Sequence, residues 1–222
     1  MIYLFTNTEF GEPFLAVAHR LRLRPEAPAI TVVLSCKRPW PKRRLARLKQ
    51  RVLWSIGSWR KARRLSRALG APVLMSANVN RRLPARVGPG DHGFVAGFNQ
   101  ILKPGLIDRF ESLVNCHPSL LPFYRGPVPS YWCLANRERA SGYTFHRLTE
   151  SIDQGEAIWQ EVVPIQPGDT PERLNARIGA LAARAFEQYL LSLTGAGSFT
   201  TQTVDAAAVY AHHVDYRSFP TA

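Results

Sequence analysis

The chain has 222 residues, 45% of them hydrophobic, enough to bury one sizeable core, whereas two separate domains would each be small. It carries a net charge of +13, and its three cysteines, Cys36, Cys116 and Cys133, are too few and too scattered for a disulfide framework, which fits a reducing compartment. No run approaches the roughly 20 apolar residues of a membrane span, and no opening segment combines a basic start, an apolar stretch and a cleavage site, so a soluble cytoplasmic protein is expected.

In chain order, Ile2-Tyr3-Leu4-Phe5 reads as a first strand, Pro13 to Leu21 as a helix and Ile30 to Leu34 as a second strand. Then comes the charge. Residues 37–68 hold thirteen Lys or Arg and no acid, so the remaining basic residues offset all 16 acidic ones and the whole excess sits in this segment. Between Pro41 and Gly57, Leu45, Leu48, Val52 and Ile56 recur at three- and four-residue steps, predicting an amphipathic helix with a basic outer face, punctuated by Trp40, Trp54 and Trp59. Such a face suits a polyanion, whether tRNA, an anionic membrane surface or a diphosphate-bearing substrate. It also suits a solvated helix that keeps the protein soluble.

Pro72 to Met75 and Gly93 to Ala96 are further strands, followed by a short helix from Pro104, a strand at Ser112-Leu113-Val114, a helix around Trp132, a strand near Thr144 and another from Ala157 to Ile165. A long amphipathic helix from Thr170 to about Leu193 opens on Asp169-Thr170-Pro171-Glu172. The tail from Gly195 is polar and rich in small residues, and its His212-His213 pair is too isolated to name a metal site. Strands alternating with helices imply an α/β fold with a doubly wound, mostly parallel sheet, whose ligands sit beyond the carboxyl ends of its strands. One catalytic domain over 1–194 with a basic insertion at 37–68, then a tail over 195–222, is the expected organisation.

The most informative segment runs from Asn115 to Gly126. Pro118 and Pro122 forbid a helix or ladder through it, so a strand must open there into a fixed loop. Alternation puts Asn115 and His117 on one face and Cys116 on the other, where it packs in the core. An amide and an imidazole at a strand end are often loop anchors only. A second loop, Thr149 to Glu156, places Asp153 36 residues beyond His117, and its Gly155 suggests a backbone turn that glycine takes easily.

Asn115, His117, Ser119-Leu120-Leu121-Pro122 and the later Asp153-Gln154-Gly155 resemble, in order and spacing, the formyltransferases that use 10-formyltetrahydrofolate and act on glycinamide ribonucleotide, methionyl-tRNA or amino sugars. The resemblance covers Met1 to about Leu193 and is strongest from Gly93 to Ile165. It implies a Rossmann-like catalytic domain with Asn115, His117 and Asp153 as catalytic residues. Formyl transfer passes through a tetrahedral species with negative charge on the former carbonyl oxygen, which donors such as Asn115 and His117 would stabilise. The attacking amine loses a proton and the folate nitrogen gains one, which suits a histidine oriented by a carboxylate. No metal is required. By the same resemblance, the turn Gly97-Phe98-Asn99-Gln100-Ile101-Leu102, with Ile152 and Gly155, would hold the folate. Thr8, Ser119, Tyr124, Arg125, Thr144 and His146 would contact the acceptor or buttress its site, although His146 reads equally well as a satisfied core histidine.

Phe5 to Phe10 resembles the methionyl-tRNA and sugar enzymes, and the glycine-rich phosphate turn of the ribonucleotide enzyme is missing. Only 29 residues follow Leu193, too few for the barrel-like second domain of the methionyl-tRNA enzymes. These points rank a phosphate-bearing small molecule, a nucleotide-linked amino sugar, as first acceptor. A tRNA- or peptide-directed formyltransferase gripping through 37–68 comes second, ahead of a formyltetrahydrofolate hydrolase. A non-catalytic folate- or nucleotide-binding module is the alternative of another class. Homo-oligomerisation and a peripheral position on an anionic membrane are compatible with the sequence.

Overall fold

The structure, a computed structural model, describes residues 1–7, 9–36 and 59–212. Thr8, the stretch from Pro41 to Gly57 and His213 lie outside them. Among the described residues, seven strands form one sheet in the order β3-β2-β1-β4-β5-β6-β7. These are β1 Ile2–Thr6, β2 Ile30–Ser35, β3 Val73–Ser76, β4 His92–Ala96, β5 Ser112–His117, β6 Ala140–Arg147 and β7 Ala157–Pro164. The first five are parallel, and on the far edge β6 runs opposite to them, pairing antiparallel with both β5 and β7. This is the doubly wound, mostly parallel sheet expected from the sequence.

The strand residues alternate between two cores, as a sheet covered on both faces requires. On one face Ile2, Leu4, Phe94, Val114 and Cys116 pack against α1 (Glu12–Leu21) and α6 (Pro171–Ser192). On the other, Tyr3, Phe5, Val33, Val95 and Leu113 pack beneath the single-turn helices α3 (Val79–Arg82) and α4 (Pro104–Ile107). Helical residues 59–69 form α2. Burial of Leu174, Ile178, Ala182, Ala185, Phe186 and Tyr189 marks the apolar stripe of α6. Its start is fixed by Thr170, whose hydroxyl accepts the Arg173 N–H at 3.3 Å.

Two expectations change in detail. The strand read as ending at Val114 continues through His117, because β6 supplies ladder partners opposite Asn115, Cys116 and His117. The segment after Gly195 packs back on the fold: it forms a further turn of helix, α7 (Ala206–Val209), and buries Tyr210 against Leu120 and Tyr124. The helix around Trp132 is α5, Pro129–Ala135.

Candidate active site

Asn115 and His117 project at the carboxyl end of β5, and the register sets His146 of β6 directly opposite Asn115. Asp153 lies between the two imidazoles. Its Oδ2 is 3.5 Å from His117 Nδ1, and its Oδ1 is 3.5 Å from His146 Nε2. The Gly126 N–H donates to Oδ2 at 2.9 Å, tying the second loop to the one that follows β5. Residues distant in sequence thus converge within hydrogen-bonding range at one strand end.

The backbone around this cluster is strained. Among the described residues, the non-glycine positions with positive φ are Tyr124 (54°), Val128 (51°), Asp153 (51°) and Arg137 (55°), and the first three belong to the two loops framing the site. Such conformations cost of order 1–3 kcal/mol each and gather at functional sites. The left-handed residue of the second loop is therefore Asp153 and not Gly155. Glycine is needed at 155 for closeness, since a Cβ there would lie 1.8 Å from the Arg147 carbonyl oxygen.

Hydrogen bonding assigns the tautomers. His117 Nε2 is 2.8 Å from the Tyr124 carbonyl oxygen, an acceptor only, so Nε2 carries the hydrogen and Nδ1 is left as the basic position, facing Asp153. His146 Nδ1 donates in the same way to the Arg147 carbonyl at 3.1 Å, which frees Nε2 to accept from the Asn115 amide at 3.0 Å. That bond orients Asn115 and leaves its second N–H available.

Burial lowers the pKa of His117, outweighing the Asp153 carboxylate and the Tyr124 carbonyl, which raise it; the His146 and Arg125 charges lower it further. Burial pushes Asp153 up, but the charge on the His117 ring, the Gly126 N–H and the charge on the His146 ring prevail and lower it to about 2. At neutral pH the site holds an ionised carboxylate beside a neutral, proton-accepting imidazole.

Two cavities meet here. One, of about 740 Å³, is lined by Asn115 and His117 together with Phe10, Val128, Glu172 and Asn175. The other, of about 150 Å³, is a narrow slot between Val95, Phe98, Leu102 and Leu148 with polar groups from Gln100 and Asp153. Asn115 and Phe98 line both. Two compartments joined at a common amide can present two reactants to each other.

The resemblance-based site residues divide accordingly. Phe98, Gln100, Ile101 and Leu102 line the slot, while Asn99 lines the larger cavity and accepts from Asn7 at 2.9 Å. Gln100 spends its side chain on the backbone, accepting from Val79 N–H and donating to the Ser76 carbonyl. Ile152 is exposed beside the slot-lining Ser151 and Asp153. Ser119, Tyr124 and Thr144, expected near the acceptor, are wholly buried, and their hydroxyls bond inside the protein: Ser119 to the Phe123 and Tyr124 carbonyls, Tyr124 to Glu138, Thr144 to the Ser119 carbonyl. They build the loop that holds His117 and make no cavity wall. Arg125 stands near His117, depressing its pKa. Glu172 and Asn175 escaped the sequence reading because the start of α6 was explained by capping alone; their i, i+3 spacing across its first two turns was the available signal.

Fold and site together define a doubly wound α/β protein with a carboxylate, two imidazoles and an amide where two cavities join. Residues 86–190, which include the whole cluster, match the family described as formyl transferase. Over 202 residues the chain is 32% identical to the methionyl-tRNA formyltransferase of Anaeromyxobacter dehalogenans (strain 2CP-1 / ATCC BAA-258), covering 89% of this chain and 61% of that protein. The corresponding protein of Anaeromyxobacter sp. (strain K) is 34% identical over 146 residues, 64% of this chain and 46% of its own. The chain therefore spans less than two thirds of the length of these relatives. Glycinamide ribonucleotide transformylase 1 of Symbiobacterium toebii shares the fold with TM-score 0.64 at 19% identity, over 92% of this chain and 93% of that one. A sugar N-formyltransferase from a Shewanella species does so with TM-score 0.63 at 20% identity, over 92% and 73%. Residues 86–190 therefore belong to the formyl transferase family, and the similarity to these relatives extends over most of the chain.

Proposed function

We propose that this protein transfers a formyl group from 10-formyltetrahydrofolate to a primary amine, with Asn115, His117 and Asp153 as its catalytic residues. The observation that carries the reading is the Asp153 carboxylate, seated between His117 and His146 where the two cavities meet at Asn115. The slot suits the flat, polar-edged ring of a folate, and the larger cavity suits the acceptor. The amine nitrogen bonds to the formyl carbon while His117 Nδ1 takes its proton and Asn115 N–H donates to the oxygen gaining charge. The carbon–nitrogen bond to the folate then breaks, and His117 returns the proton to the departing nitrogen. Asp153 holds the imidazolium that exists between the two transfers.

For the acceptor, a charged tRNA now ranks first, because the relatives matched over most of the chain are named for it and α2 exposes Arg60, Lys61, Arg63, Arg64 and Arg67. The nucleotide-linked amino sugar favoured from the sequence is second, since the sugar enzyme shares the fold at 20% identity. The test is to incubate the protein with 10-formyltetrahydrofolate and, separately, methionyl-tRNA and a panel of dTDP-linked amino sugars. His117→Ala should reduce turnover of the accepted substrate by about 10²–10⁴-fold while folate still binds. Full turnover in that variant would remove His117 from the chemistry.

A further inference from the structure

The C-terminal segment reaches the site from behind, through residues that the chemistry above does not use. Tyr124, whose carbonyl fixes the His117 tautomer, has a buried ring that packs edge-on against Tyr210, centroids 4.7 Å apart. The Tyr210 hydroxyl accepts the Leu120 N–H at 2.9 Å, across 90 residues of chain. Behind it, the buried carboxylate of Glu138 accepts from the Tyr124 hydroxyl at 2.6 Å and from the Ala211 and His212 N–H groups at 2.8 and 2.9 Å. Gln160 closes the assembly, accepting from Val204 N–H and donating to the Leu121 carbonyl. The His117 loop is thus clamped between its own strand and the segment 204–212.

We infer that Tyr210, locked in place by Glu138, is a positioning residue for His117. By fixing Leu120 and Tyr124, it keeps the Tyr124 carbonyl on Nε2 and so keeps Nδ1 as the only basic position of the ring. The effect on turnover rests on the formyl-transfer reading; the effect on the tautomer does not. Removing the hydroxyl strands a buried Leu120 N–H inside a loop already strained at Tyr124. A shift of about 1 Å in a catalytic group costs up to roughly a hundredfold in rate.

The test uses the full chain labelled with ¹⁵N-histidine, as wild type, Tyr210→Phe and Glu138→Gln, at a temperature well below the unfolding midpoint of each. Long-range ¹H–¹⁵N spectra should show His117 as a single Nε2–H tautomer in the wild type and a tautomer mixture in both variants. With 10-formyltetrahydrofolate and whichever of methionyl-tRNA or an amino-sugar nucleotide the wild type accepts, kcat should fall about tenfold and KM change less than twofold. A wild-type Nδ1–H tautomer overturns the inference whether or not the variants fold. So does a folded variant with an unchanged His117 spectrum or an unchanged kcat, which would reduce the clamp to a stability device. If His117→Ala keeps full turnover, the formyl-transfer chemistry fails separately and the spectra alone decide the positioning role.

Discussion

Asp153 does three things with one side chain: it accepts the Gly126 N–H, it faces His117 and it faces His146. An aspartate tolerates the left-handed backbone at φ 51° better than most residues, so the geometry and the charge come from the same choice. Asp153→Asn keeps the shape and removes the charge. Because the carboxylate raises the His117 pKa against the larger lowering by burial, its loss moves that pKa further down. The acid limb of kcat/KM should therefore shift to lower pH than in the wild type, while plateau turnover drops at least about tenfold for want of an imidazolium partner. An acid limb at or above the wild-type position would refute the assigned pairing. Stability follows the same signs. The His117 contribution is full above the ordinary histidine pKa of 6.5 and is lost as pH falls through its lowered folded value. That of Asp153 is full above 3.8 and is lost as pH falls through about 2.

The loop between β6 and β7 brings Asp153 to β5, and its tightest point is Gly155. A methyl group there would meet the Arg147 carbonyl oxygen, which belongs to the backbone and cannot swing aside. Gly155→Ala should destabilise the protein by about 1–3 kcal/mol in chemical denaturation and should also cut turnover, because the loop must lift and carry Asp153 with it. A stable variant with normal turnover would show that the loop adjusts without moving the carboxylate. At this level, local patterning was readable from the chain. Period-two alternation placed Asn115 and His117 together with Cys116 behind them, and the long apolar stripe and Thr170 cap announced α6. Facts of register and closure were not readable. His146 gains its role by lying opposite Asn115 in an antiparallel pair, and Tyr210 gains its own by returning to Leu120 across 90 residues. Gly155 was noticed for backbone freedom, whereas the structure requires it for steric room, a distinction that depends on how the loop folds back onto the Arg147 carbonyl at the end of β6.

Across the whole molecule, charge is segregated. The thirteen basic residues of 37–68 account for the net +13, while the cleft wall includes Glu9 and Glu172. A polyanion would therefore be drawn to α2 and its approaches, leaving the acceptor's amine to enter a cleft with acidic residues on its rim. Arg60, Lys61, Arg63, Arg64 and Arg67 are exposed on α2, and Arg63 stacks over Trp59 with its guanidinium carbon 5.2 Å from the ring centroid. If those five cations meet phosphates, affinity for tRNA should fall roughly 500-fold between 50 and 200 mM salt, on a slope near −4.5. Replacing all five by Gln should flatten that slope and weaken tRNA binding, yet leave folate binding and the His117–Asp153 pairing untouched, since none of the five lines either cavity at the site. A variant that formylates methionyl-tRNA as efficiently as the wild type, with the same salt slope, would take α2 out of acceptor recognition. Salt-insensitive turnover of an amino-sugar nucleotide, with no tRNA binding at any ionic strength, would return the sugar to first place.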